Sequence, residues 1–214
     1  MALKLLPFRQ YDEQDVVNMF AFSPAVALAS TVDDGQASQG SIVKIAGGNF
    51  NQDIITYGSD SYLGKTDYPH VGGDMYPTVS LTITGCGANE TKGAVLGVTL
   101  NQTAKNDENG EKLLYNATKK EELQAVLPGQ AVPVATKGIF TFSSLALANG
   151  SFANIAINGG IATAADGKIS GVALGLTGQD NTDKVIGTVI GTGTRTSQGN
   201  TDIFAGNFVV VKLG

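Results

Sequence analysis

From about Gly40 onward the chain is a succession of short β-branched and aliphatic runs cut apart by turn dipeptides, and almost nowhere does an apolar pattern persist long enough for an ordinary helix. Asp34-Gly35, Asn109-Gly110, Asn149-Gly150, Asn158-Gly159 and Asp166-Gly167 all tolerate the left-handed backbone that closes hairpins. The runs Ile42 to Ile45, Ile54 to Tyr57, Thr78 to Thr84, Ala94 to Leu100 and Ala131 to Ala135 read as strands. Gly138 to Phe142, Phe152 to Ile157, Ile169 to Leu176, Val185 to Ile190 and Asn207 to Leu213 read the same way. With 28 glycines in 214 residues, this many short strands imply an all-β fold, a small glycine-rich β-barrel or sandwich, and argue against a parallel α/β sheet.

The opening stretch differs. Residues 1 to 22 hold Leu3, Leu5, Leu6, Phe8, Val16, Val17, Met19, Phe20 and Phe22, three of the nine phenylalanines, and no glycine. Asp12 is placed to cap a short helix over Glu13 to Phe20, with Asp15 in its first turn, and Ser23-Pro24 stops it. The expected organisation is therefore an N-terminal arm with a short helix and a linker over 1–39, followed by a β domain over 40–214. Within that domain, Gln102 to Gln124 collects nine of the chain's 33 charged side chains and reads as an exposed hairpin or loop insertion. Thr118-Lys119-Lys120-Glu121 matches a capping box, so a turn or two of helix is expected before Pro128.

Charge and cysteine content narrow the function. Fourteen Lys and Arg against nineteen Asp and Glu give a formal charge of -5, which offers no basic field for phosphates, so nucleic acid is not an expected partner. Cys86 is the only cysteine, which rules out an intrachain disulfide and a cysteine-rich zinc site. The apolar run from Met1 to Pro7 is too short for a signal peptide or a membrane span, and synthesis in a reducing host cytoplasm without membrane attachment is expected. The Asn-x-Ser/Thr triplets at Asn89, Asn101, Asn116 and Asn149 carry no meaning without a secretion route.

Chemical motifs begin and then fail. Ser59 to Thr66 ends like a phosphate-binding loop, but Gly58 stands one residue too early and Asp67-Tyr68-Pro69 does not start the helix that such a loop needs. Gly191-Thr192-Gly193 opens a dinucleotide fingerprint that has Thr196 in its third glycine place, so a turn is the better reading. His70, the only histidine, has no recognisable catalytic partner, and Cys86 between Gly85 and Gly87 reads as a small buried residue. Asp107, Glu108 and Glu111 around Asn109-Gly110 read as a solvated hairpin tip. No catalytic, cofactor-binding or metal-ligating residue is assigned, and no enzyme activity is expected.

Two stretches resemble a known family. Ala125 to Phe140, with Pro128-Gly129 and Lys137-Gly138-Ile139-Phe140, and the ending Ile186 to Ile190 with Gly206 to Leu213, are similar to bacteriophage head decoration or capsid cement proteins. The resemblance implies a small β-barrel wall, a virion location on the capsid surface, the major capsid protein as partner and a homo-oligomer, with a trimer favoured. It brings no catalytic residues, because the family's function is adhesion. An apolar arm suits attachment to a capsid lattice, which makes Leu5, Leu6, Phe8, Tyr11, Val16, Val17, Met19, Phe20 and Phe22 the candidate capsid-binding residues. Packing of that arm across its own barrel is the competing reading. A head fibre, tail or receptor-binding module is the alternative function, weakened by the lack of a repetitive shaft; an enzyme or ligand-binding domain ranks behind it.

Overall fold

The computed structural model describes residues 3–23, 26–27, 35–47, 55–56, 78–79, 81–148, 152, 155–172, 182–199 and 202–214. The strands in chain order are β1 (Leu5–Gln10), β2 (Val16–Val17), β3 (Ala21–Phe22), β4 (Ile42–Gly47), β5 (Ile55–Thr56), β6 (Thr78–Val79), β7 (Thr82–Gly85) and β8 (Val95–Thr99). They continue with β9 (Gln102–Thr103), β10 (Ala125–Val126), β11 (Val134–Ala135), β12 (Gly138–Ser143), β13 (Gly160–Thr163), β14 (Ile169–Val172), β15 (Gly187–Arg195) and β16 (Gly206–Leu213).

Two six-stranded sheets dominate. The first has the order β1-β12-β16-β15-β13-β14 and the second β2-β11-β8-β4-β7-β3. All neighbours in the first are antiparallel, and in the second only β3 runs parallel to its partner β7. The fold is all-β, as the turn-punctuated sequence predicts. Successive side chains of a strand point to opposite faces. In β16, Val209, Val211 and Leu213 are therefore buried, while Phe208 and Val210 are half-buried and Lys212 is exposed on the opposite face.

The main core lies between the sheets, where Phe140, Phe142, Val189, Val209 and Val211 of the first meet Ile42, Val98 and Ala135 of the second. The second sheet is covered on its other face too. There Val43, Ile83 and Val134 join Phe20, Phe22, Ala37 and Leu81 in a second core.

The first 22 residues depart from the expected arm. β1 is the edge of the first sheet beside β12, and β2 and β3 are the two edges of the second. Leu5 sits in the main core and Phe20 and Phe22 in the second, all buried. The helix expected over Glu13 to Phe20 is a single 3-10 turn, Glu13–Asp15, with the Asp12 side chain accepting from the Gln14 N–H. Val16 and Val17 then stay extended because their backbone pairs with Ala135 and Val134. Pairing at that distance along the chain overrides a weak local helix preference.

Residues 102–127 form a small folded unit instead of a bare hairpin. The parallel pair β9–β10 and the helix α1 (Ala117–Glu122) enclose a third core of Ala104, Leu113, Leu123, Ala125 and Leu127. The cap of α1 is Asn116, whose Oδ1 accepts from the Lys119 N–H at 3.1 Å, and not Thr118. At the Asn109-Gly110 tip the Asp107 carboxylate accepts from the N–H groups of Asn109 and Glu111. Gly35, Gly110, Asn158, Asp166 and Gly167 take the positive φ expected of their turns. Of the expected strand Phe152 to Ile157, residues 152 and 155–157 are not in a strand and the rest lies outside the described residues. Only Ile55 and Thr56 of the run Ile54 to Tyr57 are described.

Candidate docking groove

The register of β1 against β12 sets up the site. Leu5 stands opposite Phe142 and Arg9 opposite Phe140, so four steps along β1 face two along β12. Pro7 lies inside this bulge, where a residue without an N–H is tolerated at a sheet edge. The bulge carries Phe8 outward, 69% exposed, while Leu6 stays buried.

A groove of about 400 Å³ opens on the outer face of the first sheet. Leu6, Thr141, Phe208 and Val210 form its floor. Pro7 and Phe8 make one wall; Phe204 and Arg195, at the far end of the β15–β16 hairpin, make the other. Six of these eight residues are apolar. Glycine at position 193 seats the Phe208 ring, since a Cβ there would stand 2.6 Å from the ring's Cζ.

The far wall is built around one carboxylate. Asp202 accepts from the N–H groups of Gln198 and Phe204, each at 3.0 Å, and those two bonds hold its carboxyl below the usual range, with the Arg195 charge adding less. The Arg195 guanidinium lies 5.7 Å from the centroid of the Phe204 ring, and its Nε is 3.9 Å from Asp202 Oδ2. Ring and carboxylate together hold a cation at the mouth of an apolar groove.

A second polar cluster is structural. Lys44 Nζ donates to Glu90 Oε1 at 2.5 Å, the Gly87 N–H donates to the same oxygen, and the Glu90 N–H donates to Thr163 Oγ1 at 2.8 Å. The last bond ties the loop after β7 to β13 and so clamps the two sheets together. Lys44 holds the Glu90 carboxyl below its usual value, with Gly87 assisting. Burial, and then the Glu90 charge, push the Cys86 thiol up to about 12, with Lys44 opposing, so no useful fraction of thiolate exists near neutral pH. Among the described residues no three His, Cys, Asp or Glu side chains gather to hold a metal ion, and no helix is long and apolar enough to cross a membrane.

The nine candidate attachment residues are dispersed. Leu6 and Phe8 line the groove. Leu5 is buried in the main core, against which Tyr11 and Val16 pack, and the Tyr11 ring stacks on Phe140 with centroids 6.0 Å apart. Val17 and Met19 pack on the second core, which contains Phe20 and Phe22. These seven are committed to the chain's own interior, as the competing reading of the N-terminus has it. The Ser59 to Thr66 stretch, Lys65 and His70 lie outside the described residues. Thr141, Arg195, Phe204, Phe208 and Val210 are the groove residues that sequence reasoning missed. The continuous apolar run Phe208 to Val211, of the sort covered on both faces, was the available signal for Phe208 and Val210.

No protein family, curated protein or solved structure matches this chain.

Proposed function

We propose that the chain is a non-enzymatic virion structural protein that binds the outer surface of a phage capsid and stabilises it, in the manner of cement or decoration proteins, and that it docks through the groove on the outer face of the first sheet. The observation that carries this reading is the apolar groove itself, walled by an exposed phenylalanine on a bulged edge strand. Support comes also from the stretch Gly206 to Leu213, which carries part of the family resemblance and supplies Phe208 and Val210 to the same groove. The major capsid protein is then the partner, and a homo-oligomer, with a trimer favoured, presents several grooves to the lattice.

Magnitudes favour such multiplicity. Burying a large apolar side chain contributes about 1.5–3 kcal/mol, and a contact centred on Phe8, Phe204 and Val210 gives modest affinity once the cost of association is subtracted. Several copies engaged on one lattice convert weak contacts into lasting attachment. The test is electron cryomicroscopy of expanded heads decorated with the purified protein. Docked density should place the outer face of the β1-β12-β16-β15 sheet against the capsid. Density in which the 102–127 unit or the second sheet faces the shell contradicts the assignment.

A further inference from the structure

Arg195 is the only cation among the groove residues, and its ion pair with Asp202 is a loose one. Its Nε stands 3.9 Å from Asp202 Oδ2, beyond hydrogen-bond distance. Both Asp202 oxygens already accept backbone N–H groups, from Gln198 and Phe204. The Phe204 ring lies beside the guanidinium and restricts it, so a planar fork of donors is presented at the groove mouth at little further entropy cost. Such a fork matches a carboxylate, bound through two parallel hydrogen bonds. The floor below it, Leu6, Phe208 and Val210, offers no charge and suits an aromatic or long aliphatic side chain.

From this pairing we infer that the groove accepts a protein segment in which a large apolar side chain stands next to an Asp or Glu: the apolar group fills the floor and the carboxylate meets Arg195. The inference rests on the reading of the groove as the docking surface and adds the chemistry of the epitope it recognises. Charge complementarity selects this occupant, since Arg195 is the one charged residue lining the groove, and its ion-pair partner Asp202 stands at 3.9 Å with both oxygens already accepting backbone N–H groups.

The test is an NMR titration of the full chain, labelled with ¹⁵N, using two blocked tetrapeptides, acetyl-Gly-Phe-Asp-Gly-amide and acetyl-Gly-Phe-Lys-Gly-amide. The Phe-Asp peptide should shift the amide signals of Leu6, Thr141, Phe208 and Val210 saturably. Arg195→Gln should weaken it about fivefold, the scale of one partly exposed charge-assisted pair, with the melting temperature unchanged. The Phe-Lys peptide should bind both proteins alike, no tighter than Phe-Asp binds Arg195→Gln. Equal binding of the two peptides to the wild type, or no response at the groove, overturns the inference. Groove signals that shift with protein concentration alone also overturn it, because the occupant is then a second copy of the chain. If Arg195→Gln binds heads as the wild type does while Val210→Asp does not, the epitope assignment fails and the docking surface stands; if neither variant loses head binding, the docking surface fails.

Discussion

The ring of Phe208 rests against the α-carbon of Gly193 on the adjacent strand, and a methyl group at that position would come within 2.6 Å of the ring's Cζ. The atom in the way is the end of a side chain on a half-buried outer face, so Gly193→Ala should displace the ring without breaking the sheet. The expected result is a melting temperature within a few degrees of the wild type, together with altered amide shifts at Leu6 and Val210 and weaker binding to heads. Unchanged shifts at those two residues would show that the ring does not form the groove floor.

Neighbouring valines of β16 should answer the same substitution in opposite ways. Val211 is fully buried in the main core, so Val211→Asp places an unpaired charge there and should cost several kcal/mol. Val210 faces the groove and is half-buried, and Val210→Asp should leave a folded protein with little loss of stability. Denaturant titration of both variants checks this, and equal destabilisation would contradict the assignment of faces.

Removal of residues 1 to 22 should unfold the protein. It takes away one edge of the first sheet, both edges of the second, and Leu5, Phe20 and Phe22 from two cores. Phe22→Ala alone should cost about 3–5 kcal/mol, as truncation of a buried phenylalanine does. Phe8→Ala should cost little, since the ring is mostly exposed. Thermal melts of the three proteins decide; a truncated chain that melts like the wild type would show that the N-terminal strands are dispensable.

The parts of the fold legible in the sequence are those whose pattern is local. Ile42 to Ile45, Gly138 to Phe142 and Asn207 to Leu213 alternate or run apolar between turn residues, and they are the cores of β4, β12 and β16. The N-terminal strands were not legible, because Val16 and Val17 become a strand only through Val134 and Ala135, and Ala21 and Phe22 only through Thr82 and Ile83. Nothing within a local window announces a partner more than sixty residues away. The glycine-rich end of β15 was misread as a turn for a related reason. Gly191 and Gly193 hold their strand through pairing with Val210 and Phe208 across the hairpin, not through any propensity of their own. Of the groove, Leu6 and Phe8 were within reach of the sequence, but the far wall depends on a loop that folds Asp202 over its own backbone.

Acid stability should carry the signature of Glu90. Its carboxyl is depressed in the folded state, first by the Lys44 hydrogen bond and then by the Gly87 N–H, so the folded chain binds fewer protons than the unfolded one. Its contribution is therefore present above the ordinary glutamate value of about 4.3 and is lost as pH falls through the folded value. Lys44 is raised by the same bond, so its contribution is full below about 10.4 and is lost as pH rises through its folded value. The melting temperature of the wild type should fall between about pH 5 and pH 3. Glu90→Gln should start lower at neutral pH and fall less steeply over that range. Glu108 and Asp202, also depressed, keep a residual slope in both proteins. Parallel slopes would mean that the Lys44 clamp adds nothing to folding.

Co-sedimentation of the purified protein with expanded phage heads that lack it is the most direct test of docking through the outer face of the first sheet. The wild type should pellet with the heads saturably, and folded Val210→Asp should remain in the supernatant at the same concentration. A wild type that stays in the supernatant, or a Val210→Asp variant that pellets equally well, would contradict the account.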